Sequence, residues 1–209
     1  SSSSRVHGSS PKIFISKTLF SCTMNLKRYR AARRDQADNR GAHPKAAKKT
    51  ETPGSNILSY AINKETRMRT RALMILADGF EDIEAIIPLD LLTRAGIEVV
   101  AAGLDSKRVR AAKSGLTITT PVTLAEVNID DLDAVILPGG PGTDRLANSP
   151  AVKDLLIKMH AHGRIIAAIC AAPALVLAPI GLLDNKKATC FLNMENHFPA
   201  SATFIAQPV

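Results

Sequence analysis

From residue 72 the chain alternates short apolar runs with longer stretches of helical spacing. Ala72-Leu-Met-Ile-Leu-Ala77 is apolar throughout and too short for a helix, which predicts a buried strand. Asp78-Gly79 predicts a turn. Glu81 to Ala95 carries Ile83, Ile86, Ile87, Leu91 and Leu92 at helical intervals, with Gly96 as a stop and Pro88 as an internal kink. Glu98 to Leu104 predicts a second strand, and residues 108–120 a small hairpin turning at Lys113-Ser114-Gly115. Asp133 to Pro138 is another buried strand, followed by Gly139-Gly140-Pro141-Gly142. Ser149 and Pro150 form a helix start, and that helix runs to His162-Gly163. Arg164 to Ile169 predicts a strand, Ala171 to Pro179 a helix, and Lys187 to Phe191 a further strand. Past Asn193 the pattern fades.

Strands alternating with helices at this spacing predict an α/β domain, a mainly parallel sheet covered by helices on both faces. Ligands of such sheets bind beyond the carboxyl ends of the strands. Three segments bring chemistry there: Asp78–Glu84, Gly139–Thr143 and Cys170–Pro173.

Residues 1–67 break the pattern. They hold 14 basic and 4 acidic residues, a balance of +10, whereas residues 68–209 hold 13 and 15, a balance of −2. The net charge of +8 therefore belongs to the N-terminal third, and the folded domain at 68–209 has no bias toward nucleic acid. Ser- and Arg-rich composition with no acidic residue before Asp35 fits a disordered extension or a transit-like segment, and Met68 stands where a natural start would fall. The domain is expected in the cytoplasm, or in a mitochondrion or plastid if the segment is a transit peptide. No apolar run reaches the roughly 20 residues that span a membrane.

Composition narrows the chemistry. Aromatic residues make up 4% of the chain and Trp is absent, so the core must be aliphatic. Cys22, Cys170 and Cys190 are odd in number and widely spaced, which argues against a disulfide framework or a CxxC metal site. His160 and His162 lie two apart at a helix end and face different ways, so no metal is expected. The glycine loop lacks the Gly-Lys-Ser/Thr ending of a phosphate-binding loop.

Cys170 closes an apolar strand and is followed by Ala-Ala-Pro. A residue at such a junction projects from a tight turn, and the next helix points its N-terminus at the sulfur, which favours thiolate and lowers the thiol pKa. Ala171 and Ala172 leave backbone N–H groups accessible. An inert core cysteine fits the same position equally well. Glu84, three residues after Glu81 on one helix face, would have a raised pKa beside Cys170 and would shuttle protons there. Glu81 and Asp82 read as charge complements of the helix start.

Taken in order, Leu76-Ala-Asp-Gly-Phe-Glu-Asp-Ile-Glu84-Ala-Ile-Ile-Pro88, Arg94-Ala-Gly-Ile-Glu-Val99, Ala134-Val-Ile-Leu-Pro-Gly-Gly140 and Ala167-Ala-Ile-Cys170-Ala-Ala-Pro173 resemble the DJ-1/PfpI (ThiJ-like) superfamily, in its DJ-1-like branch. The resemblance implies a flavodoxin-like three-layer sandwich and a homodimer. It implies Cys170 as nucleophile and redox-sensitive thiol, Glu84 as its protonated partner, and Gly140 and Ala171 as backbone donors. His197 is the candidate for a histidine partner. The family's activities imply a cofactor-independent glyoxalase or deglycase acting on methylglyoxal, glyoxal or early glycation adducts, with an oxidative-stress role. A non-catalytic redox sensor or chaperone and a PfpI-like cysteine peptidase are the alternatives. The family pattern continues with another strand and a long helix after the point where this sequence stops, so a C-terminally truncated core is expected.

Overall fold

The computed structural model describes residues 70–206 and the backbone of Ile13–Ser16. The other parts of residues 1–67 and the proposed start at Met68 lie outside the described residues.

The strands are Ile13–Ser16 (β1), Arg71–Leu76 (β2), Glu98–Gly103 (β3), Arg108–Arg110 (β4), Thr117–Thr119 (β5), Val122–Thr123 (β6), Ala134–Leu137 (β7), Ile165–Ile169 (β8), Lys187–Ala188 (β9) and Thr203–Phe204 (β10). The helices are Asp82–Arg94 (α1), Thr143–Asn148 (α2) and Pro150–Ala161 (α3). Six strands form one parallel sheet in the order β1-β8-β7-β2-β3-β6.

The three central strands are buried on both sides because, apart from Arg71 at the start of β2, their residues are apolar at every position, as parallel sheets require. Their alternation then divides the side chains between two cores. Leu73, Ile75, Val135, Leu137, Ile166 and Ala168 enter one, with Val152, Leu155, Leu156 and Met159 of α3. Ala72, Met74, Leu76, Ala134, Ile136, Ile165 and Ala167 enter the other, with Ala85 and Leu92 of α1. Helices therefore cover both faces, giving a flavodoxin-like three-layer sandwich. Each fully buried Leu or Ile stabilises the fold by about 1.5–3 kcal/mol relative to exposure.

The helix borders follow the sequence signals. Ser149 accepts a hydrogen bond from the N–H of Val152, with Pro150 opening α3. The N–H groups of Gly96 and Ile97 return to the carbonyls of Thr93 and Leu92 and close α1. Pro88 lies buried inside α1, and the helix runs on across it.

Three elements differ from the expected pattern. The helix after Cys170 is a π-helix over Pro173–Leu177 followed by a 3₁₀ turn over Ala178–Ile180. Pro179 has no N–H to give the Leu175 carbonyl, so a regular ladder fails there. The strand expected over Lys187–Phe191 forms only at Lys187–Ala188, because the N–H of Phe191 turns to the Cys170 carbonyl at 2.8 Å. The N-terminal stretch showed no periodic element in the sequence, yet Ile13–Ser16 pairs with β8, from Ile13 opposite Ile166 to Ser16 opposite Ile169.

The connection from β2 leads through β3 to β6 on one side, while β7 and β8 lie on the other. The strand order thus reverses between β2 and β7. The crevice at the carboxyl ends of such a switch point is the expected place for a ligand.

Candidate active site

The loops after β2 and β7 at the crevice are laced together by their backbones. The N–H of Glu81 donates to the Gly139 carbonyl at 2.9 Å, and the N–H of Gly142 donates to the Gly79 carbonyl at 2.9 Å. Gly140 has φ +89°, and a Cβ there would lie 2.6 Å from both the Glu81 nitrogen and the Gly79 oxygen. Only glycine permits this approach. The loop from β7 is thereby pressed against the start of α1.

β8 delivers Cys170 into the same crevice. Its φ is +62°, a left-handed conformation that a non-glycine residue rarely adopts. Such a conformation costs on the order of 1–3 kcal/mol and persists only where surrounding contacts enforce it. Those contacts are present. The Cys170 carbonyl accepts from Phe191, and the backbone N–H groups of Gly140 and Ala171 are hydrogen-bonded to the sulfur.

Glu84 stands in the first turn of α1, where Glu81 caps the helix by accepting the Glu84 N–H at 3.1 Å. One oxygen of the Glu84 carboxyl accepts the Gly139 N–H at 2.8 Å, and the carboxyl is also hydrogen-bonded to Cys170. Gly139 sits between the two reactive groups. A Cβ there would lie 2.6 Å from the Cys170 Cβ, 2.6 Å from Glu84 Oε2 and 3.0 Å from Sγ. The sequence points to the Gly139–Thr143 loop and, within it, to Gly140 as the donor, without marking Gly139. The doubled glycine after β7 was its only signal, and sequence does not say which glycine touches what.

Electrostatics correct one expectation. The thiol pKa is raised rather than lowered. Burial, and next the charge of an ionised Glu84, push Cys170 up to about 11, against the downward pull of the Gly140 and Ala171 N–H groups. Burial likewise pushes Glu84 above the ordinary carboxyl range. Both shifts have one leading cause, burial, which disfavours charge on either group. An ionised Glu84 adds to the rise of the thiol, and the two groups titrate as a pair. When Glu84 holds the proton, that added charge is gone, and burial is opposed by the two backbone donors.

Of the residues singled out by sequence, Cys170, Glu84, Gly140 and Ala171 come together. His197 does not join them. It lies exposed in a 3₁₀ turn over Glu195–His197, and the groups acting on the sulfur are Glu84, Gly140 and Ala171. Among the described residues, no group of three or more His, Cys, Asp or Glu is arranged to hold a metal.

Residues 70–209 match the family model described as DJ-1/PfpI family. The chain belongs to the DJ-1/PfpI family. Within the family it is 42% identical over 129 residues to protein dj-1beta of Drosophila melanogaster, covering 61% of this chain and 68% of that one. The crystal structure of that Drosophila protein superposes with a TM-score of 0.63 at 38% identity, over 66% of this chain and 75% of that chain. A glutathione-independent glyoxalase of Caenorhabditis elegans is 36% identical over 61% of this chain and 67% of its own. A deglycase of Pyrococcus abyssi is 33% identical over 60% of this chain and 75% of its own. Across its DJ-1/PfpI relatives the chain spans from 36% to 75% of their length.

Proposed function

We propose that the protein is a cofactor-independent glyoxalase or deglycase that uses Cys170 as nucleophile on methylglyoxal, glyoxal or their early glycation adducts. The observation that carries this reading is the convergence of a thiol, a carboxyl with raised pKa and two backbone N–H donors from the ends of β7, β8 and the start of α1. Relatives named as a glyoxalase and a deglycase support it.

The chemistry follows from the shared proton. In the reactive form Glu84 holds the shared proton and Cys170 is the thiolate, which attacks the aldehyde carbon of methylglyoxal, forming a C–S bond. The resulting oxyanion takes up a proton from Glu84, while the N–H groups of Gly140 and Ala171 stabilise the charge as it develops. The Glu84 carboxylate then removes the proton from that carbon and delivers it to the neighbouring carbonyl carbon, while the hydroxyl proton passes to the oxygen of that second carbon. The product is a thioester of lactate, which water hydrolyses to free the thiol. Replacement of Cys170 by Ser is expected to abolish lactate formation. Steady lactate production by that variant overturns the assignment.

Redox sensing is the second reading. Cys170 is partly exposed, and a thiolate in that state oxidises to sulfenic and then sulfinic acid. Mass shifts of +O and +2O on Cys170 in a protein without turnover favour this reading over the first. A reducing, cytoplasmic setting suits either role, and among the described residues no helix is long and apolar enough to cross a membrane.

A homodimer is supported by the outer face of α1. Ile83, Ile86 and Ile87 form an exposed stripe, and the hairpin brings Leu116 (66% exposed) to the same end of the helix through bonds from the Lys113 and Ser114 N–H groups to Asp82. Ile86→Asp is expected to shift the sedimentation coefficient from dimer to monomer. A monomeric parent protein overturns this assembly.

A further inference from the structure

Glu81 makes three contacts at the site without touching the sulfur. Its N–H donates to the Gly139 carbonyl at 2.9 Å. Its side chain accepts the Glu84 N–H at 3.1 Å. Its carbonyl accepts the N–H of Ala85 at 3.2 Å. Gly139 in turn donates to the Glu84 carboxyl at 2.8 Å, so Glu81 holds both ends of that bond.

Glutamate is not among the residues favoured at this helix position. Ser, Thr, Asp and Asn cap better, because their short side chains reach the backbone with less conformational loss. A cap alone does not explain the choice. The longer side chain places a second negative charge close to Glu84. The remaining acidic groups of this loop are turned elsewhere: Asp78 accepts the Arg110 N–H at 2.8 Å, and Asp82 accepts those of Lys113 and Ser114 at 3.2 and 3.3 Å. The groups that act on the Glu84 carboxyl are Gly139, Cys170 and Glu81. Of the neighbouring acids, Glu81 alone acts on it, and it favours the protonated form of Glu84.

We propose that Glu81 is a positioning residue that holds Glu84 against Gly139 and, through its charge, biases the proton shared by Glu84 and Cys170 toward Glu84, leaving the thiolate on Cys170. The inference rests on the Cys170–Glu84 pair described above. It assigns to Glu81 a role beyond complementing the helix start. Because Glu81 and Cys170 are not in contact, the effect passes through Glu84.

The experiment compares the parent protein with Glu81→Gln, Glu81→Ala and Glu84→Gln, reading the rate of Cys170 alkylation by iodoacetamide against pH together with thermal unfolding. Glu81→Gln keeps an oxygen acceptor for the Glu84 N–H and removes only the charge. It is expected to unfold at the parent temperature, yet alkylate several-fold more slowly at neutral pH. Glu81→Ala is expected to lose stability as well, through the lost cap. A parent-like alkylation profile in Glu81→Gln, with a stability loss only in Glu81→Ala, reduces Glu81 to a cap and overturns the proposal. Insensitivity of the profile to Glu84→Gln overturns the Cys170–Glu84 pair itself and the role of Glu81 with it. A changed profile in Glu84→Gln beside an unchanged one in Glu81→Gln overturns the Glu81 role alone.

Discussion

Residues 71–169 and residues 171–206 contribute to the fold by different means. The first stretch supplies β2, β3, β7 and β8, whose ladders run in register for three to six residue pairs, and the central side chains of β2, β7 and β8 are buried. The second consists of a π-helix, 3₁₀ turns and strands of two residues. Cys170 stands at the seam. Its side chain answers to the first region through Glu84 and Gly140, and its carbonyl answers to the second through Phe191. A strained left-handed residue is stable where two independently anchored segments grip it from both sides.

The contrast is testable from the largest effect downward. Leu73 belongs to the first region and is fully buried. Leu73→Ala is expected to destabilise the whole fold by about 2–5 kcal/mol in urea unfolding. A loss confined to one segment, seen as separate transitions by different probes, breaks the idea of a single domain.

Gly139→Ala strikes the seam. The added Cβ has no room between the Cys170 Cβ and the Glu84 carboxyl oxygen, both 2.6 Å away. Lactate formation is expected to fall on the order of a hundredfold, as misplacement of about 1 Å costs in a preorganised site. Near-parent turnover in this variant breaks the claim that the contact of Glu84 with Cys170 matters.

Phe198→Ala addresses the second region, where Phe198 and Phe204 pack edge-to-face with centroids 6.0 Å apart. The pair contributes about 1 kcal/mol beyond area burial. The expected result is faster amide exchange at Phe191 with β2 and β7 still protected. Equal loosening of both regions erases the distinction between them.

The smallest effect is electrostatic. The Glu84 pKa is raised in the folded protein, first by burial, so folding favours its protonated form. That contribution is fully present below the ordinary carboxyl value of 4.5 and is lost as pH rises through the raised folded value. Glu84 is partly accessible, and solvent screening keeps the contribution modest. Glu84→Gln is expected to flatten the slope of stability against pH in that window. A slope unchanged by the substitution places the titration in another group.

The division between the two regions also marks where the sequence was readable. β2, β7 and β8 were legible as apolar runs because a strand buried on both faces needs nothing but apolar residues. Ser149-Pro150 and Gly96 marked helix ends because capping is local. Cys170 and Glu84 were legible through their order along the chain. The short strand at Lys187–Ala188 and the turns near His197 were not, since they follow from contacts with distant residues. Gly139 and the cap at Glu81 stayed hidden for the same reason: nothing in a Gly-Gly pair or in Glu-Asp-Ile-Glu says which atom faces which.

By itself, then, the sequence determined the α/β layering, the placement of Cys170 at a strand end and the candidates for its partners, because periodicity and turn chemistry act over a few residues. Only the tertiary structure decided that His197 stays outside and that burial raises the thiol pKa rather than leaving it to the helix terminus. Only it brought Gly139 between the two reactive groups. Burial and the meeting of charges depend on what the rest of the chain packs around a residue, and that is a property of the folded whole.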